Sequence, residues 1–281
     1  MTGMLVSIKA VSEAVPLGEI VFFRSLFALI PLVIFLALRR EFPQGLATKR
    51  PVDHLLRSGF GALAMFTAFA ALARLSVAEA TLIAQLAPML TALCAVVFLS
   101  ERLTLWRIGG LALGFGGILL LVWPEIGGGG MEEARLTGVL LGLLSALLTA
   151  FALTMVRSLN RTESPGAIAF YFVVASMLGA LLTVPLGWVV PRGETLLLLI
   201  SAGLFGGFAH IAMTLSFRYA EASRLAPFEY VAFLWPIFAD LFLFQVALSS
   251  GFWIAAPLVL SGAALAAMEG RRKRSAALQK P

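Results

Sequence analysis

The feature that most constrains this chain is a succession of apolar blocks, each about 20 residues long, separated by short polar or glycine-rich joints. A helix of that length covers about 30 Å, the hydrocarbon thickness of a bilayer. Inside lipid the helix satisfies its own backbone N–H and C=O groups, so such blocks specify spanning helices. The blocks run 18–38, 55–73, 77–99, 105–123, 136–156, 165–188, 195–217, 222–245 and 250–268, which predicts nine full helices. Composition agrees: the chain is 60% hydrophobic and 13% charged, against about 25% charged in soluble domains. The class is an all-α integral membrane protein.

Ahead of the blocks lies MTGMLVSIKAVSEAVP, whose apolar part is too short to cross a bilayer and which has no basic leader or cleavage pattern of a signal peptide. An internal repeat interprets it. Segments 74–121 and 218–266 run parallel at an offset of about 145 residues, with Arg74 on Arg218, Gln85 on Glu229, Phe98 on Phe242, Leu103 on Leu248 and Gly117 on Gly262. Further back, Pro16 falls near Pro165, and Phe22 and Phe23 fall on Tyr171 and Phe172. The opening segment then matches the end of the 136–156 block. The expectation is ten helices, with about 13 residues of the first lying before Met1.

Charge gives an independent topology. Arg39, Arg40, Lys49, Arg50, Arg57, Arg102, Arg107, Arg157, Arg161, Arg218, Arg224 and the tail Arg271, Arg272, Lys273, Arg274 and Lys280 occupy alternate joints, with His54 among them. The opposite joints hold Arg74, Arg135 and Arg192. The positive-inside rule makes the first set and the C-terminus cytoplasmic. Five helices per half then force the halves to enter from opposite sides, as in inverted-repeat secondary transporters. The expected organisation is a first repeat at 1–123 with a truncated first helix, an external glycine-rich linker at 124–135, a second repeat at 136–268 and a basic cytoplasmic tail at 269–281. The basic joints explain the pI near 10.1 without nucleic acid.

Candidate site residues are the polar and proline positions inside apolar blocks. Glu229 sits between Pro227 and Pro236, and at 100° per residue Glu229, Phe233, Pro236 and Asp240 share one face, the carboxylates about 16 Å apart. An acid in a spanning segment faces a cavity or a partner. Glu229 therefore recognises substrate or takes up a proton, or else pairs with Arg224 or Arg218; Asp240 stands equally between function and plain hydration. Pro88, Pro227 and Pro236 bend helices and free carbonyls that a cavity can use, and Gln85 is the polar counterpart of Glu229 in the first half. His210 could relay protons or bond a neighbouring helix. Tyr171, Phe172, Tyr230, Phe233 and Trp235 could stack a flat ligand or simply pack. GFGG at 114–117 and LFGGF at 204–208 allow close helix approach, with no Lys-Ser or Lys-Thr to make a nucleotide loop.

Other classes fit less well. One cysteine, Cys94, and two histidines supply no metal cluster, and no GxSxG or HExxH pattern is present, so no enzyme, cofactor or metal is expected. A channel would need charge rings or a carbonyl filter.

The stretches EIVFFRSLFALIPL (19–32), ALARLSVAEATLIAQLAPMLTALCAVVFLSERLT (71–104) and SFRYAEASRLAPFEYVAFLWPIF (216–238) together resemble the EamA-like branch of the drug/metabolite transporter superfamily of bacterial inner membranes. The resemblance implies a ten-helix carrier of small metabolites with a cavity shared by two repeats. FFRSLFAL with APFEYVA is similar to carriers of riboflavin or S-adenosylmethionine, and export of amino acids or drugs is the alternative. The acid that often follows the fourth helix in this family is Glu101 here, but the second half has Gln245. The resemblance gives Arg24 an anionic group or an internal carboxylate as partner, against snorkelling to the interface, and Glu19 falls at the outer mouth. The expected partners are a small-molecule substrate and membrane lipid, with proton coupling and a homodimer both open.

Overall fold

The structure, a computed structural model, describes residues 1–99, 105–127, 133–160, 162–219 and 231–278. Among them every regular element is helical: α1 (Thr2–Val11), α2 (Leu17–Leu38), α3 (Pro51–Arg74), α4 (Val77–Ala84), α5 (Leu86–Leu99), α6 (Leu105–Gly127), α7 (Glu133–Leu159), α8 (Pro165–Leu181), α9 (Gly193–Tyr219), α10 (Leu234–Phe238) and α11 (Ser250–Leu278). A π-helical turn, Ala239–Leu243, prolongs α10. With α4 and α5 taken as one interrupted span, this is the expected ten-helix bundle. Among the described residues, α2, α3, α7 and the Gly193–Ala212 part of α9 are long and apolar enough to cross a membrane.

Several boundaries differ from the sequence expectation. The joint placed at 124–135 is mostly helix, because α6 continues through Gly127 and α7 begins at Glu133. The tail placed at 269–281 continues α11 as far as Leu278. The block at 165–188 ends early: α8 stops at Leu181, a 3-10 turn follows at Val184–Leu186, and Gly187 takes φ 92°. The indole of Trp188 then folds back to donate to Thr183 Oγ1 at 3.0 Å.

Two spans are interrupted in the same way. The helix breaks at Gln85, three residues before Pro88, and again at Phe233, three residues before Pro236. Proline lacks the N–H that would bond the carbonyl four residues back and its ring crowds that carbonyl, so the turn just before it opens. The two halves therefore correspond here at a spacing of 148 (236 minus 88). At that spacing Gln85 pairs with Phe233; Glu229, its expected match, lies outside the described residues.

Helix packing repeats between the halves. The pairs α1–α9 and α3–α7 match, as do α2–α9 and α3–α8, while α2–α8 and α6–α11 each map onto themselves when the halves are exchanged. Lipid supplies no hydrophobic drive for helix association, so close packing through small residues carries it. A Cβ at Gly207 of α9 would lie 2.4 Å from Pro31 Cγ and 2.9 Å from the Ala28 carbonyl of α2. At the α6–α11 crossing, a Cβ at Gly117 would meet Val259, and one at Gly262 would meet the Gly110 carbonyl. Two apolar cores result. One joins α4, α5, α6, α7 and α11 around Leu82, Met89, Leu121 and Phe252; the other joins α1, α2, α3, α8 and α9 around Ile8, Ile20, Leu36 and Leu199. Each draws on both halves of the chain.

Candidate functional site

Polar side chains gather in three places: the two ends of the bundle and its middle. At the end holding the α3–α4 turn, Lys9 of α1 reaches across and donates to the carbonyls of Leu72 (2.9 Å), Ala73 (3.2 Å) and Leu75 (2.9 Å). These are carbonyls that the end of α3 leaves without intrahelical partners. The next helix opens with a capping box, in which Ser76 Oγ accepts from the Glu79 N–H at 3.1 Å and the Glu79 carboxylate accepts from the Ser76 N–H at 3.4 Å. Glu79 also pairs with Arg135 of α7. Asp240, in the π-turn after α10, completes the arrangement. Its carboxylate accepts from the Val77 N–H (2.9 Å) and the Ala78 N–H (2.6 Å), so the second half caps a helix of the first.

That position corrects one expectation directly. Asp240 is 1% exposed and is neither hydrated nor open to a pathway. Glu19 behaves similarly, because it is fully buried and one of its oxygens accepts from the Val189 N–H at 2.9 Å, which ties the α8–α9 joint to α2 instead of lining a mouth.

The opposite, basic end is bolted by side chains. Arg50 pairs with Asp53 at 2.7 Å and donates to the Ser158 carbonyl at 3.1 Å and its hydroxyl at 3.0 Å. His54, expected in a joint, is buried in α3 with Nε2 at 3.6 Å from Glu163, and its ring lies 4.6 Å from that of Tyr171. Tyr171 donates to the Leu46 carbonyl at 2.7 Å. Its hydroxyl therefore fastens the 39–50 joint.

The middle differs. Arg24 of α2 is 3% exposed, and Nε and Nη1 are sealed from solvent with no acceptor among the described residues. Snorkelling is thereby excluded, since a snorkelling arginine keeps its head in water. Its position explains why. Arg24 lies seven residues inside α2, about 10 Å along the axis, and its guanidinium packs over Gly206 of α9 beside Met4 of α1. Arg57, expected in the cytoplasmic joint, lies inside α3, with Nε and Nη1 likewise sealed and without acceptors. Its guanidinium carbon stands 4.1 Å from the centre of the Phe172 ring of α8, a cation–π geometry. His210 of α9 meets the same ring edge-on at 6.1 Å, and both arginines lie within electrostatic reach of its imidazole. Four helices, two from each half, thus bring Arg24, Arg57, Phe172 and His210 to one locality at mid-depth. The sequence supplied Arg24, Phe172 and His210 as candidates; Arg57 was hidden because one turn of helix separates a joint residue from a half-buried one with two sealed guanidinium nitrogens.

The expected face on the ninth span divides. Phe233 is buried and stacks on Phe252 at 6.3 Å, Pro236 is buried, and Trp235 is 61% exposed on the other side. Trp235 borders an apolar groove of about 710 Å³ between α10 and the start of α1, with Phe238, Phe242 and Val6. Gln85 ends α4 and is half-buried, and Pro88 is exposed. Glu229, Tyr230 and Pro227 lie outside the described residues, as does Glu101. No cluster of metal-ligating side chains occurs among the described residues.

Comparison with known proteins gives the family and the fold. Residues 2–123 match the EamA-like transporter family. A riboflavin transporter of Rhizobium johnstonii is 31% identical over 234 residues, covering 82% of this chain and 75% of that protein. A pseudopaline exporter of Pseudomonas aeruginosa is 32% identical over 235 residues, covering 80% and 76% respectively. An S-adenosylmethionine uptake transporter of Rickettsia prowazekii is 25% identical over 231 residues, covering 81% and 74%. A solved crystal structure superposes with a TM-score of 0.68 over 96% of both chains at 23% identity, a likeness of fold.

Proposed function

The chain belongs to the EamA-like family of the drug/metabolite transporter superfamily, a multi-pass membrane transporter, and from that premise we propose that it moves a small metabolite by alternating access around the mid-depth site of Arg24, Arg57, Phe172 and His210. One observation carries this reading. Charged side chains buried in the middle of a membrane bundle, at the meeting of helices from both halves, are a cost that a purely structural packing would shed. Rocking of one half against the other would open and close the polar fastenings at the two ends in turn. The 1–123 and 136–268 segments are the units that rock in this proposal.

The substrate has a flat or amphipathic body, as the riboflavin and S-adenosylmethionine transporters among the relatives favour. The protein resides in the bacterial inner membrane with a cytoplasmic C-terminus, an orientation supported by the basic joints. Glu229 carries the coupling proton in this scheme. Gln85, Trp235 and Pro88 border the path, and a homodimer is compatible with it.

Reconstitution into proteoliposomes preloaded with unlabelled riboflavin, followed by counterflow of labelled riboflavin, tests the transport reading. Saturable uptake absent from empty liposomes is expected, and sidedness in right-side-out against inside-out vesicles assigns direction. If no compound from a panel of flavins, nucleosides, amino acids and cationic drugs shows counterflow, the reading fails. Glu229→Gln is expected to abolish pH-driven accumulation while sparing exchange, and unchanged accumulation would remove Glu229 from the coupling role.

A further inference from the structure

The charge balance of the described residues is uneven in a way that identifies the cargo's chemistry. The acids Glu41, Asp53, Glu79 and Asp240 are engaged at the two ends of the bundle by Arg39, Arg50, Arg135 and the α4 N-terminus respectively. Glu163 accepts from the Lys49 N–H at 3.3 Å, and Glu19, near the start of α2, accepts from the Val189 N–H and keeps Oε1 without a donor among the described residues. None of them reaches the middle. There, two guanidinium groups retain sealed N–H donors without an acceptor among the described residues. A lysine or histidine in such a place could shed its proton, but a guanidinium cannot, so the positive charge persists. Neutral water or an amide would satisfy the hydrogen bonds and leave both charges uncompensated; only an anion answers both demands.

The orientation of Arg57 suits that task. Its guanidinium carbon stands over the Phe172 ring at 4.1 Å, which holds the group in place while Nε and Nη1 keep no acceptor among the described residues. Arg24 is pinned between Gly206 and Met4, where a Cβ on Gly206 would stand 3.1 Å from Nε. Both therefore meet an incoming group in fixed geometry, at little entropic cost. His210 meets the edge of the same ring at 6.1 Å and lies within the electrostatic influence of both arginines.

We propose that this site takes an oxyanion group of the transported molecule, a carboxylate or a phosphate, held by Arg24 and Arg57 with His210 beside them. The proposal rests on the transport reading for its cargo, but not for its chemistry. It implies that the arginines are unfavourable to the empty protein and favourable only to the loaded one.

Two measurements on the full chain in detergent test it. Thermal melting of the unliganded protein is expected to rise by a few degrees in Arg24→Gln and in Arg57→Gln, because each removes an uncompensated buried charge; a fall would show the arginines to be structural and overturns the proposal. Glu229→Gln separates the remaining rival. If that variant melts lower and the arginine substitutions no longer raise stability within it, Glu229 is the resident counter-ion and the proposal fails. Ligand binding is then read with matched pairs. Flavin mononucleotide against riboflavin tests phosphate, and nicotinate against nicotinamide tests carboxylate. The charged member is expected to stabilise the wild type, at least tenfold more tightly than the neutral one, and to lose that advantage in either arginine variant. Equal responses to both members, or no response to either charged member, overturn the proposal. Anion binding without flux in proteoliposomes would sustain it while sinking the transport reading. Flux of neutral members, unaffected by either arginine substitution, would do the reverse.

Discussion

The ends of this bundle and its middle treat charge in opposite ways. At the ends, Lys9 meets three carbonyls, Asp240 meets two amides, and Arg50 meets a carboxylate, a carbonyl and a hydroxyl. In the middle, Nε and Nη1 of Arg24 and of Arg57 are sealed with no acceptor among the described residues. Nearer the ends one oxygen of Glu19 and the ring nitrogens of His54 share that state, but only the guanidinium groups carry a permanent charge. Saturated polar groups stabilise a fold, whereas unsaturated ones can persist only if something other than folding retains them. The difference therefore separates residues that hold the bundle together from the two arginines proposed to meet an anion, even though both kinds sit inside apolar helices. It also shows that an intramembrane charge is not by itself a pathway marker, because Asp240 lies in a spanning block and is buried against the amides it caps.

This contrast can be broken at either side. The largest effect is expected for Asp240→Ala, which strips the acceptor from two buried amides and should lower stability by about 3 kcal/mol, seen as a melting point about 6–12 °C lower in detergent. Asp240→Asn keeps one acceptor and should lose about half as much; a neutral outcome for both would mean that the α4 N-terminus finds other partners. Lys9→Met is next, at about 2 kcal/mol, because it uncaps three carbonyls at the end of α3 and leaves a side chain of similar length. Gly207→Leu tests the packing on which the middle depends: with Pro31 already 2.4 Å from the added Cβ position, α2 and α9 must separate, at about 1–3 kcal/mol and with weakened ligand binding as Arg24 shifts. The smallest is Tyr171→Phe, about 1 kcal/mol from the lost bond to Leu46, with substrate affinity unchanged; a large loss of affinity would restore Tyr171 to the binding site. Against all of these, the arginine substitutions in the middle carry the opposite sign.

Much of the fold was legible from hydropathy because spanning helices obey a length rule. Nearly all block boundaries fall within a few residues of the helices, and the interruptions follow from Pro88 and Pro236, whose chemistry acts locally. At the joint placed at 124–135 the helix ends at Gly127, where the glycine run begins, and at the tail placed at 269–281 it continues to Leu278, because charged side chains do not stop a helix. The site was legible only in part. Arg24 and His210 stand out as polar residues in apolar runs, but Arg57 resembles a joint residue until α3 is seen to begin at Pro51. Tyr171 and Phe233 were drawn toward the ligand by their type, while their surroundings commit Tyr171 to Leu46 and Phe233 to Phe252.

By itself, the sequence determined the membrane class, the number of spans and the places where they bend, since each depends on residues near one another in the chain. The tertiary structure alone decided which charges are spent and which are spare. Partners such as Asp240 and the α4 N-terminus, or Arg57 and Phe172, lie more than a hundred residues apart, and whether a buried charge is satisfied depends on what the other helices bring to it.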